Sequence, residues 1–164
     1  MYLYHGFIQR LNKATEFVTM FFLIMMVVLI FVQIVSRVII GSSFSWTEEV
    51  ARYLMIWVAF LGAGFAFQYG AHMSIEVLFK KLNLNMQNIF QIISALLCTL
   101  FFLLLIVKGI ELIKGSINVY SPALKLPMVI VYAAIPIGAF LQILNVIDIT
   151  WKFLKNNSRG RTNE

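Results

Sequence analysis

Three groups of side chains in this sequence have the types and spacings that could do chemistry. Glu48, Glu49 and Arg52 fall within five positions, His72 and Glu76 are four apart, and Lys108, Glu111 and Lys114 follow one another at spacings of three. Glu48 and Arg52 stand in the favourable order for a pair one helical turn apart, but an exposed pair of that type adds only about 0.3–0.5 kcal/mol to a helix. Stability alone therefore explains the cluster poorly. His72 and Glu76 could share a helix face as metal ligands, yet with no further His or Cys nearby they make a poor metal site, and a polar pair at a membrane surface is the competing reading. The lysine–glutamate series reads as a solvated helix end. Cys98 is the single cysteine and sits in an apolar run, so neither an internal disulfide nor a cysteine metal cluster can form. No phosphate loop, nucleophile elbow or zinc-helix motif appears, and neither histidine falls within a span where it could ligate a haem. No cofactor and no enzymatic activity are expected.

What must position these groups is a membrane protein. Of 164 residues, 61% are hydrophobic and 12% charged, and the mean hydropathy of +0.89 lies well outside the soluble range. In a soluble protein a net charge of +6 would point to nucleic acid. Here the basic residues crowd at the chain ends and between apolar runs, as membrane topology requires, so lipid is expected as a partner and nucleic acid is not.

Ser45 with Glu48 three residues on fits a capping box, which predicts a helix start near Trp46. From Val50 to Phe67 the only charge is Arg52, and those 18 residues with the capped turn before them can cross a hydrocarbon core of about 30 Å. On a helical wheel Glu48, Arg52, Ala59, Gly62, Ala63, Ala66 and Gly70 share one face, opposite Trp46, Tyr53, Trp57 and Phe60. Gly62, Ala66 and Gly70 at spacings of four form a groove that lets another helix backbone approach, within the chain or outside it. The aromatic face could meet lipid or a second protein.

Before this helix, the 24 apolar residues from Phe17 to Ile40 are too many for a signal-peptide core and stay as a first span. Arg37 near its end could pair with Glu48 or Glu49, or simply extend to the interface. The short Gly41–Ser45 connection makes the first two spans antiparallel neighbours. Ser74 to Lys81 alternates apolar and charged residues as a short interfacial helical segment would. A third span carries Gln87, Gln91, Ser94 and Cys98 on one arc, and a fourth is interrupted at Pro136. In that fourth span Ala134, Gly138, Leu141, Gln142, Asn145 and Asp148 form a seam running from small to polar. The expected fold is thus a single all-α integral membrane domain, residues 1–164, with four transmembrane helices at roughly 17–40, 47–68, 88–110 and 128–150, and a flexible tail at 152–164. With four spans the termini share a side. Eight basic residues would lie on that side against five opposite, which makes both termini cytoplasmic.

The pattern Trp46, Glu48, Glu49, Arg52, Tyr53, then Trp57, Phe60, Leu61, Gly62, Ala63, then Gly70, His72 and Glu76 resembles the small membrane subunit, DctQ-like, of tripartite ATP-independent periplasmic (TRAP) transporters. The likeness is strongest over about a fifth of the chain, the remainder agreeing in length and number of spans, and it departs at Met73 and Ser74 after His72. The resemblance implies a heteromeric system of the bacterial inner membrane, in which a periplasmic substrate-binding protein captures a carboxylate solute such as sialic acid or a dicarboxylate. A large membrane subunit then moves it with sodium while the small subunit braces the large one. Trp46, Glu48, Glu49, Arg52, Tyr53, Trp57 and Phe60 become partner-interface candidates by that likeness. Ala59, Gly62, Ala63, Ala66, Gly70, Ala134 and Gly138 are the helix-packing set, and His72 with Glu76 a membrane-surface motif. No carboxylate, lysine or histidine sits centrally in a span, where a proton relay or ion path usually needs one. The competing function is a small homo-oligomeric four-helix transporter or channel acting alone.

Overall fold

Apolar runs of this length satisfy their backbone in hydrocarbon by folding into helices, because each peptide group then bonds within its own segment. The computed structural model describes residues 2–41, 44–70 and 84–160, with side-chain surroundings for residues 6, 8–39, 41, 44–66 and 86–155. Within these, α1 runs Tyr2–Ile40, α2 Ser45–Gly70, α3 Leu84–Gly115, α4 Met128–Tyr132 and α5 Ala134–Gly160. Four stretches are long and apolar enough to cross a membrane: Ile8–Ile39, Ser45–Ala66, Met86–Gly115 and Met128–Lys155. The protein is therefore all-α with four membrane-length helices, as expected. The interfacial segment with His72 and Glu76 lies outside the described residues, as does the tail beyond Gly160.

The helices outrun the apolar runs. α1 starts at Tyr2 rather than near Phe17, since Ile8, Asn12, Thr15 and Thr19 form a buried stripe that continues the helix face below the apolar stretch. Gly41, at φ 74°, ends α1 in the left-handed conformation that a glycine adopts without steric cost. α5 carries on through Lys152 and Lys155 to Gly160, past the expected end of the fourth span. Pro136 cannot donate to the Tyr132 carbonyl, and the helix is interrupted at Ala133, one residue beyond that carbonyl. Backbone bonds from Ala133 to Val129 and from Ile137 to Ala133 bridge the break between α4 and α5.

The four spans form a row and not a closed bundle. α1 packs on α2, α2 on α5, and α5 on α3, while α1 meets α5 only locally. α1 and α2 are antiparallel, as the short connection requires. Two contacts set their register: Gln33 reaches Glu48, and Phe22 meets Trp57 edge-on at 6.3 Å between ring centres. α2 and α5 run parallel, with Phe60 at Gly138 and Gly64 at Leu141 and Asn145. The apolar stretch of the last span is 39% buried, against 22% in α2, 11% in α3 and 6% in α1, so α5 is the keystone and the edge helices stand open. Between α3 and α5 the core is Phe102, Ala139 and Val146, with Cys98 and Leu105 packed against it.

Candidate partner interface

The residues singled out around the start of α2 separate into two groups with different surroundings. Arg52 donates from Nη2 to Glu48 Oε1 at 2.9 Å, and the two side chains remain 62% and 52% exposed. Gln33 of α1, and not Arg37, is the first-span residue that reaches Glu48, donating from Nε2 to Oε2 at 3.4 Å. Trp46, 46% exposed, lies 6.5 Å from Phe44 between ring centres. The first turn itself is held at Thr47, whose amide and hydroxyl both donate to the Phe44 carbonyl at 3.1 and 2.7 Å, a contact that the Ser45–Glu48 spacing does not announce.

Glu49 turns the other way. Only 7% exposed, its carboxylate accepts from the Tyr53 hydroxyl at 2.8 Å and from the Ala123 and Leu124 amides at 3.2 and 2.9 Å. These charge-assisted bonds staple α2 to the connection between α3 and α4. That connection is tightly folded on itself. Ser121, 1% exposed, donates its amide to the Leu126 carbonyl and accepts the Leu126 amide on its hydroxyl, while the Met128 amide returns to the Val119 carbonyl. Lys125 takes a left-handed φ of 56°, which costs a non-glycine residue about 1–2 kcal/mol and is held by its amide bond to the Ser121 carbonyl. Beside the staple, Ser45, Glu48, Glu49, Arg52, Pro122 and Ala123 line an open notch of about 410 Å³.

Deeper in α2, the aromatic residues that could have met lipid or a second protein are engaged inside the chain. Trp57 packs on Phe22 of α1. Phe60 abuts α5 so closely that a Cβ on Gly138 would lie 2.7 Å from the Phe60 Cβ and 2.8 Å from its carbonyl oxygen. Only glycine fits there. Of the small-residue face, a Cβ added at Gly62 would meet the Thr19 methyl at the ordinary distance of 3.7 Å and Ala63 is half-buried, whereas Ala59 and Ala66 are exposed and lie outside the packing between α1, α2 and α5. The arc they span is wider than the strip that two flanking helices can cover. Gly70 ends α2, and its surroundings lie outside the described residues. Ala134 is fully buried at the top of α5.

At the opposite end of the helices lies a buried polar knot. Asn12 of α1 and Asn145 of α5 exchange hydrogen bonds at 2.6 and 3.0 Å, and the Asn145 amide also donates to the carbonyls of Gly64 at 2.8 Å and Leu141 at 3.1 Å. Gln142 reaches the Phe60 carbonyl at 3.4 Å, and Lys152 pairs with Asp148 at 2.7 Å. Asn145 and Gln142 stand on the seam legible in the sequence. Asn12 was missed there; its only local signal is that Asn12, Thr15 and Thr19 recur at helical spacing ahead of and into the apolar run. Lys108 and Glu111 form an exposed pair at 2.7 Å. Among the described residues no group of three or more His, Cys, Asp or Glu is placed to hold a metal ion.

A row of apolar helices, pinned by a carboxylate staple near one membrane-facing end of the helices and by an asparagine knot near the other, defines a multi-pass membrane subunit. Residues 26–156 match the family described as tripartite ATP-independent periplasmic transporters, DctQ component, and the chain belongs to it. It is 35% identical over 131 residues to a Haemophilus influenzae protein described as a TRAP transporter small permease protein, covering 80% of this chain and 81% of that one. It is 28% identical to the C4-dicarboxylate TRAP transporter small permease protein DctQ of Rhodobacter capsulatus, over 70% of this chain and 52% of that one. It is also 28% identical to the ectoine TRAP transporter small permease protein TeaB of Halomonas elongata, over 64% and 55% respectively. The chain is thus a small permease subunit of the bacterial inner membrane and not an enzyme. The family implies a large membrane subunit and a periplasmic binding protein as its partners.

Proposed function

We infer that this chain braces the large translocating subunit of a sodium-coupled TRAP importer, which takes up a carboxylate solute delivered by a periplasmic binding protein. Both termini are cytoplasmic in this reading, and the stapled connection between α3 and α4 faces the periplasm. The row supports the role best: its two inner helices are locked by polar contacts, and a single row leaves long open faces for a larger membrane protein and for lipid. Among the described residues the deep polar groups hold helices to one another instead of lining a path, which suits a brace better than a conductor. The named relatives differ in solute, C4-dicarboxylate in one and ectoine in another, in keeping with a solute choice made by other subunits. Of the interface candidates, Trp46, Glu48 and Arg52 remain open to a partner, while Glu49, Tyr53, Trp57 and Phe60 are engaged within the chain.

Reconstitution tests the role. The purified chain alone in liposomes takes up no organic acid under a sodium gradient, whereas the same liposomes holding both membrane subunits and the binding protein do. Sodium-driven uptake by the single chain would restore the homo-oligomeric transporter.

A further inference from the structure

The register of α1 against α2 places the Glu48–Arg52 pair at an unexpected level. Gln33 meets Glu48 and Phe22 meets Trp57, so Arg52 stands level with α1 residues between Phe22 and Gln33, inside the apolar run from Phe17 to Ile40. Glu48 then stands at the boundary of the core and Arg52 one turn inside it, so side chains 62% and 52% exposed border hydrocarbon there, and a charge pair with no polar cover is costly in lipid. Below it, Met55, Ala59 and Ala66 continue the same exposed face of α2. From Glu48 to Ala66 this face runs about 27 Å at 1.5 Å per residue, close to the thickness of a hydrocarbon core. The outer face of α3 is different over its apolar length, carrying bulky apolar side chains such as Leu96, Leu97, Leu100 and Leu104, each more than half exposed, as suits lipid.

Three occupants compete for the α2 face. A lipid acyl chain could lie on Ala59 and Ala66 but offers nothing to a guanidinium–carboxylate pair. A soluble protein could fill the notch lined by Ser45, Glu48, Arg52 and Pro122 but could not follow the face down to Ala66. A membrane-spanning helix with a polar side chain near its periplasmic end satisfies both halves, with close backbone approach at the alanines and a hydrogen-bonding group at the charges. We propose that the exposed face of α2, Glu48–Arg52–Met55–Ala59–Ala66, is the seat of one transmembrane helix of the large subunit, and that this helix presents a polar side chain to the Glu48–Arg52 pair. The assignment rests on the bracing role and adds to it the face that is used.

The test uses the co-expressed, co-purified complex of the two membrane subunits, with the photo-crosslinker p-benzoylphenylalanine placed singly at Ala59, Ala66, Leu97 or Leu100. Irradiation yields adducts with the large subunit from Ala59 and Ala66 and little from Leu97 or Leu100. In parallel, Ala59→Trp or Ala66→Trp lowers recovery of the large subunit by about tenfold, equivalent to about 1.4 kcal/mol of association, and Leu100→Trp leaves it essentially unchanged. A complex that co-purifies but gives adducts at Ala59 and Ala66 only with lipid or a second copy of this chain overturns the assignment and leaves the bracing role standing. Equal yield from Leu97 and Leu100 overturns it in the same way. Failure of the unsubstituted subunits to co-purify overturns the bracing role itself, and the assigned face with it.

Discussion

The closeness of Phe60 and Gly138 sets up a graded test in which four glycines are replaced by alanine one at a time. The added methyl would meet the Thr19 methyl at 3.7 Å at Gly62, the Leu141 Cβ at 3.4 Å at Gly64, the Pro136 Cδ at 3.0 Å and Ile135 Cγ2 at 3.2 Å at Gly109, and the Phe60 Cβ and carbonyl oxygen at 2.7 and 2.8 Å at Gly138. Alanine in place of glycine favours a helix interior by about 1 kcal/mol, and overpacking costs about 1–3 kcal/mol. At Gly62 the first effect acts almost alone, so Gly62→Ala is neutral or stabilising by up to about 1 kcal/mol. At Gly138 the obstacle is backbone, which cannot swing aside, and separating α2 from α5 also stretches the Gln142 and Asn145 bonds to the Phe60 and Gly64 carbonyls. Gly138→Ala therefore loses about 1–2 kcal/mol net, and at about 2–4 °C per kcal/mol for a chain of this size the purified protein in detergent melts about 2–8 °C lower. Phe60→Ala does not rescue it, because the clashing Cβ, carbonyl carbon and oxygen all remain. Equal melting temperatures for Gly62→Ala and Gly138→Ala, or rescue by Phe60→Ala, would refute the backbone contact.

Two further outcomes are expected. Glu49→Gln removes the charge that holds the Ala123 and Leu124 amides, so hydrogen exchange at these two positions accelerates while the Asn12–Asn145 end keeps its protection; unchanged exchange at residues 123 and 124 would detach Glu49 from the connection. Single cysteines at Ser43 and Asn157 in a Cys98→Ser background label from opposite sides of intact inner membrane, and labelling of Asn157 from outside would overturn the cytoplasmic placement of the termini.

The sequence carried the parts of this structure that local spacing encodes. Long apolar runs marked the four spans, and the seam of Gly138, Leu141, Gln142 and Asn145 marked the packed face of the last helix. Partners distant along the chain were not legible. Glu49 read only as one of three neighbouring charges and a partner-interface candidate because its acceptor role depends on amides 74 and 75 residues away, and Asn12 drew no notice because its partner is 133 residues distant. The wheel put Ala59 and Ala66 in one face with Gly62, and the width of the strip that α1 and α5 cover divides that face within the chain. A helical wheel ranks residues by angle, but burial also depends on where the neighbours end.

The order of helices in the row bears on how the protein is made. α1 and α2 are adjacent in both sequence and space, so this hairpin can close as soon as residue 70 clears the insertion machinery. α3 is next to be synthesised, but its packing is on α5, with α4 adding a smaller contact. Among the described residues its main packing surface is thus supplied only when residues 128–160 follow it. The last helix then docks by sliding in between α2 and α3, so the final segment to emerge is the one that joins two otherwise separate pieces.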